Sequence, residues 1–117
     1  MPRDVGLYLG DIVAAADRIV EYTAGMDAAA VASDQRTLDA VVRNLEIIGE
    51  AARYLPESSR AAAPEIEWMK VVALRNILVH QSLGVSTAIV WDVVEHKLPP
   101  LRSACARLLA RSTPDAT

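Results

Sequence analysis

Arg75, Asn76 and His80 stand close together in the stretch Trp68 to Ser82, WMKVVALRNILVHQS. The stretch reads as a helix that is apolar almost all the way round. At 100° per residue, Val71, Val79, Trp68 and Val72 form one stripe, and Arg75 projects from its middle. A guanidinium among valines and a tryptophan is costly unless it is paired, hydrated at a cleft or kept for an anion. His80 and Asn76 lie one turn apart and face the same way. A fixed cation, an amide and a group that titrates near neutrality suit phosphate chemistry. Arg75 and His80 are five positions apart, so on an ideal helix their side chains diverge by about 140°. They converge if the helix ends near His80, if the long arginine bends round, or if a second subunit supplies half the site. The Ser82 to Gly84 segment and the cap-like Ser86 and Thr87 predict that the helix ends just past His80. A structural arrangement fits the same residues. In it Arg75 pairs with a buried carboxylate and His80 caps the helix end, where an imidazolium suits the dipole.

Arg75, four residues, then His80, inside LRNILVH, resembles the Arg-x4-6-His signature of the HEPN ribonucleases, and more closely the HepT-like toxins of bacterial and archaeal toxin–antitoxin operons. LEIIGEAARYLP (Leu45 to Pro56) looks like that family's second-helix signature. IEWMKVVALRNILVH (Ile66 to His80) looks like its tryptophan-led approach to the site, and Val90-Trp91 and Leu98-Pro99 fit its last helix. The resemblance covers nearly the whole chain. It implies a metal-independent endoribonuclease of a HEPN/nucleotidyltransferase-type toxin–antitoxin pair, with Arg75 and His80 as catalytic residues at a homodimer interface. Its substrate would be RNA, with a tRNA loop or end or another single strand as the target. Its partner would be a nucleotidyltransferase-type antitoxin, and it would need no cofactor or metal. The chain departs from the family at one place. The family's histidine is followed two residues later by a tyrosine, to which the partner nucleotidyltransferase adds AMP, and here that position is Ser82. The alternative is therefore an inactive HEPN-like binding module that docks a nucleotidyltransferase or grips a nucleotide.

The elements that must position these residues are legible from periodicity. Val5, Leu9, Ile12, Ala16, Ile19 and Thr23 step by fours and threes along a first amphipathic helix ending near Gly25. Asp11, Asp17, Arg18 and Glu21 read as its solvated face. Ser33 and Asp34 start a second helix that runs towards Tyr54 and stops before Pro56. Its stripe is Leu38, Val41, Val42, Leu45, Ile48 and Ala52. Gly49 near its centre costs about 1 kcal/mol against alanine and predicts a close helix crossing. Ala40, Ile47 and Ala51 make a second apolar patch, which predicts burial on two sides, within the bundle and across a dimer. Between the patches lie Asp39, Arg43, Glu46, Glu50 and Arg53, and Glu50 is the leading candidate to pair with Arg75. Glu46 and Glu50 lack the histidines or the matching acidic pair that a metal site would need. A short connector with one turn at Glu57 to Ala62 leads to the Trp68 helix, and a last helix spans about Ser86 to Arg111. Leu98-Pro99-Pro100 predicts a kink or break there. His96 reads as exposed beside Glu95 and Lys97.

These elements predict an all-α, up-and-down bundle of four main helices plus a short connecting helix, HEPN-like, in one domain over residues 1–117 with the last few disordered. The 117 residues are 52% hydrophobic, with no Phe and a net charge of −3. Such a chain packs a helical core, and its pI near 5.3 argues against a general nucleic-acid coat while leaving room for a local positive pocket. Cys105 reads as a small buried hydrophobe in a reducing cytosol. With no signal peptide and no apolar run of the ~18 residues a span needs, a cytoplasmic protein that engages no membrane is expected.

Overall fold

A computed structural model of the chain describes residues 4–80 and 86–112, and of 77–80 and 112 the helical backbone only. Asp4 opens α1 (Val5–Tyr22) by accepting a hydrogen bond from the Gly6 amide at 2.8 Å. The chain leaves α1 through Gly25, whose φ of +77° is the left-handed conformation that glycine tolerates best. Asp27 caps a short α2 (Ala28–Ala32), an element the periodicity had not indicated. Asp34 then caps α3 (Gln35–Arg53), accepting from the Thr37 amide at 3.2 Å.

The end of α3 is closed by tertiary groups. Arg60, on the short α4 (Glu57–Ala61), donates to the carbonyls of Ala52 and Arg53 at 3.0 and 3.1 Å, which satisfies acceptors the helix itself cannot. The Trp68 indole donates to the carbonyls of Arg60 and Ala63, at 3.1 and 3.0 Å, and so pins the connector to the start of α5 (Trp68–His80). Ser86 caps α6 (Thr87–Asp92). The backbone widens into a π-helical turn at Val93–Lys97 and continues as α7 (Leu98–Ser112). The break expected at Leu98-Pro99-Pro100 is thus a widened turn with helical backbone running through it. Pro99 and Pro100 have no N–H to give the carbonyls one turn back and their rings crowd that turn, so it opens ahead of them.

The described residues form an all-α bundle of the expected kind. Four long helical stretches (α1, α3, α5 and α6–α7) are joined by two short helices rather than one. α3 lies between α1 and α5, and α7 packs on α1. One contiguous core joins Leu9, Ile12 and Ile19 of α1 to Val41, Leu45 and Ile48 of α3 and to Leu98, Leu101 and Leu108 of α7. Cys105 is fully buried there, and burial pushes its thiol up to about 12, so it stays protonated and packs as an apolar group. The residues read as the solvated face of α1 are in part interhelical ties. Asp17 holds Arg102 of α7 at 2.9 and 3.1 Å, and Arg18 donates to the buried Asn44 of α3 at 2.7 Å. Within one chain α1 and α5 pack on α3 from two sides; of the second patch Ala51 is buried, while Ala40 and Ile47 are half-buried. No described helix is long and apolar enough to cross a membrane. The expectation of a disordered C-terminus falls on residues 113–117, outside those described.

Candidate active site

Gly49 sets where Arg75 stands. A Cβ at position 49 would meet the Arg75 backbone nitrogen at 2.9 Å, the Arg75 Cβ at 3.1 Å and the Val71 carbonyl oxygen at 3.2 Å. Only a residue without a side chain lets α5 cross α3 this closely, as the sequence predicts for Gly49. The crossing also corrects the expectation that Arg75 is buried among valines. Its Cα lies at the point of contact, so its long side chain leaves sideways past Gly49 and remains 44% accessible. It therefore escapes most of the desolvation that a core position would impose.

Glu50, next to the notch, receives it. Arg75 Nε lies 2.7 Å from Glu50 Oε1, the contact expected between these two residues. That oxygen is shielded from water and has no aligned hydrogen bond among the described residues, so charge attraction holds the pair. Arg53, one turn further on, brings its Nη1 to 3.7 Å of Glu50 Oε2. Glu50 thus bridges two guanidiniums. Arg75 meets Glu50 through Nε, and its Nη groups carry the remaining donors of the guanidinium fork.

These groups wall an open cleft of about 710 Å³ between α1, α3 and α5. Arg43, Glu46, Glu50 and Arg75 line it together with Tyr8, Asp11, Ile47 and Tyr54. Tyr8, Asp11, Arg43 and Tyr54 were not singled out from the sequence. Asp11 read as part of a solvated face, Arg43 as a charge between two apolar patches and Tyr54 as the end of the second helix, and nothing marked Tyr8. Tyr8 and Tyr54 stack with centroids 5.5 Å apart and planes 21° from parallel, and the Arg53 guanidinium sits 5.3 Å from the Tyr54 ring centre. Among the described residues, no three His, Cys, Asp or Glu side chains gather as metal donors.

Asn76 is exposed on α5 beside Arg75. The backbone of His80 continues the same helix, and its side chain lies outside the described residues, as does Ser82 altogether. His96 stands apart from the cleft, exposed and facing Asp92 and Glu95 at 3.5 and 3.8 Å.

The profile of a family described as "Ribonuclease HepT-like" matches residues 12–108, which takes in α3 and α5, α1 from Ile12 onward and most of α7. The chain belongs to the HepT-like family. Its curated relatives agree. A Methanocaldococcus jannaschii protein named "Putative RNase MJ1380" is 36% identical over 100 residues, covering 86% of this chain and 92% of its own. A Thermococcus cleftensis protein named "Probable ribonuclease HepT" is 35% identical over 108 residues, covering 92% of this chain and 98% of its own. No solved structure matches. The HepT-like match takes in both Arg75 and His80.

Proposed function

We propose that this chain is a metal-independent endoribonuclease that cuts RNA through Arg75 and His80 and acts as the toxin of a HEPN/nucleotidyltransferase-type toxin–antitoxin pair. The observation that carries this reading is Arg75 on the wall of an open cleft, tethered to Glu50 through Nε, on the helix that bears His80 one turn and a half later. Family membership and the names of the relatives support the same chemistry.

RNA brings its own nucleophile. In the proposed reaction the 2′-hydroxyl attacks the neighbouring phosphorus as its proton passes to a histidine. The bond from phosphorus to the 5′-oxygen breaks, that oxygen takes up a proton, and a 2′,3′-cyclic phosphate remains. The unperturbed pKa of histidine, about 6.5, suits both proton transfers. Arg75 would stabilise the charge that builds on the non-bridging oxygens, with Glu50 fixing its direction and Asn76 holding the imidazole or a phosphate oxygen. One histidine does not easily serve as base and acid at once, so a homodimer that pairs two copies of α5 is part of the proposal. A nucleotidyltransferase-type antitoxin and a cytoplasmic setting follow from the same reading.

The test is cleavage of total tRNA and of a defined single strand, with and without chelator. Chelator-resistant cleavage leaving cyclic-phosphate ends is expected, falling by about 10²–10⁴-fold in His80→Ala and comparably in Arg75→Ala, with both variants folded. Cleavage that persists in His80→Ala would remove His80 from the site. One observation favours a second reading, a binding module that docks a nucleotidyltransferase or a nucleotide without turnover: Ser82 stands where the family tyrosine is expected. Stable partner binding by a protein that cuts none of these RNAs would favour it.

A further inference from the structure

The chain has five aromatic residues, two Trp and three Tyr, and no Phe. Two of the three tyrosines meet in the same cleft as Arg75. Tyr54 is 49% exposed. It follows the last residue of α3, where a small polar residue would cap the helix as well. Its ring is held in place by stacking on Tyr8, and the Arg53 guanidinium lies over it. Arg53 in turn faces Glu50, and Glu50 faces Arg75. An unbroken line of contacts therefore joins the aromatic pair to the guanidinium assigned to the phosphate.

We propose that Tyr54, backed by Tyr8 and flanked by Arg53, is a stacking subsite for one base of a single-stranded RNA whose phosphate Arg75 engages. The inference rests on the ribonuclease reading and adds to it a contact that recognises unpaired bases. Every base has a flat π-face, so such a platform accepts any sequence but requires that the base be unstacked from its neighbours. An exposed ring already fixed by a second ring loses little freedom when a base lands on it. Arg43 and Arg75 line the cleft with Asp11, Glu46 and Glu50, and Glu50 is occupied by Arg53 and Arg75, so phosphate contact falls to the arginines and base contact to the ring. The substrate class is thus a single strand or an opened loop, with base identity read weakly at this position.

The test measures binding, so that it stands apart from turnover. The probe is a labelled five-nucleotide 2′-O-methyl RNA, which lacks the attacking hydroxyl, together with its abasic counterpart of equal length and charge. The unaltered protein is expected to bind the base-bearing strand more tightly. Tyr54→Ala and Tyr54→Leu are expected to lose about tenfold on that strand and nothing on the abasic one, while Tyr54→Phe keeps the preference. In cleavage assays Tyr54→Leu should raise KM and leave kcat within about twofold. No preference for bases in the unaltered protein, equal losses on both strands, or full binding by Tyr54→Leu would each overturn the subsite. A base preference that depends on Tyr54 in a protein that cuts no RNA would uphold the subsite and sink the ribonuclease reading.

Discussion

On one side of α3, Val41, Leu45, Ile48 and Ala52 are sealed in the core, whereas part of a turn away Arg43, Glu46 and Glu50 wall an open cleft. Both sides belong to one amphipathic helix and both meet neighbouring helices. The sealed side owes its stability to apolar area removed from water, and it tolerates no polar atom without a partner. The cleft side is half wet, and its charges are arranged around one another: Glu50 between Arg53 and Arg75, Arg53 over Tyr54. A polar helix face next to a close crossing is therefore not simply a solvated surface. The crossing at Gly49 brings in a guanidinium from α5 and makes that face the wall of an open cleft.

The contrast can be broken from its apolar side first. Ile48→Ala empties a fully buried position and is expected to cost about 2–5 kcal/mol in urea unfolding. Cleavage per folded molecule should stay close to that of the unaltered protein. A large loss of specific activity at full folding would show that the core side and the cleft side are not separable.

Gly49→Ala strikes the seam between the two. Alanine gains about 1 kcal/mol of helix propensity, but its methyl would press on the Arg75 backbone, and overpacking of that kind costs about 1–3 kcal/mol. A small net loss of stability is expected, together with a larger loss of cleavage, because the whole of α5 must shift. Raised stability in thermal melts would mean that the crossing relaxes freely and that Gly49 does not position Arg75.

Glu50→Gln sharpens the cleft side alone. The pair is partly exposed, so its removal should change stability by less than about 1 kcal/mol. Untethering Arg75 should lower kcat by about tenfold, in keeping with what misplacement of a positioning group costs. Steady-state kinetics with unchanged kcat would assign Glu50 no part in orienting Arg75.

The smallest effect belongs far from the cleft. The hydrogen bond from Arg102 holds the Asp17 carboxyl below its ordinary value of 3.8. A depressed carboxylate stabilises the fold above its unfolded-state value, and the contribution disappears as pH falls through the folded-state value. Asp17→Asn should therefore be slightly less stable than the unaltered protein at neutral pH and indistinguishable from it in acid. A difference that grows below pH 4 would contradict the pairing.

Much of this architecture is legible in the residues. Asp34 as a cap, the stripe of α3, the stop before Pro56 and the need for a close neighbour at Gly49 all follow from local rules, because capping, periodicity and glycine's missing Cβ act over a few residues. α2 is only five residues long, too short for periodicity to mark, and only its aspartate cap distinguishes it. The twin prolines read as a break, yet the helix absorbs them by widening one turn, since packing of Val94, Leu98 and Leu101 in the core outweighs the lost hydrogen bonds.

The sequence alone determined the all-α class, the apolar faces, and the presence of Arg75, Asn76 and His80 on one helix, because these depend on residue type and spacing. Tertiary structure alone decided that Arg75 stands in an open cleft instead of the core, and that Tyr8 and Tyr54, 46 positions apart in the chain, stack beside it. Direction and company depend on where one helix crosses another, and that crossing is fixed by contacts between distant segments which no local pattern encodes.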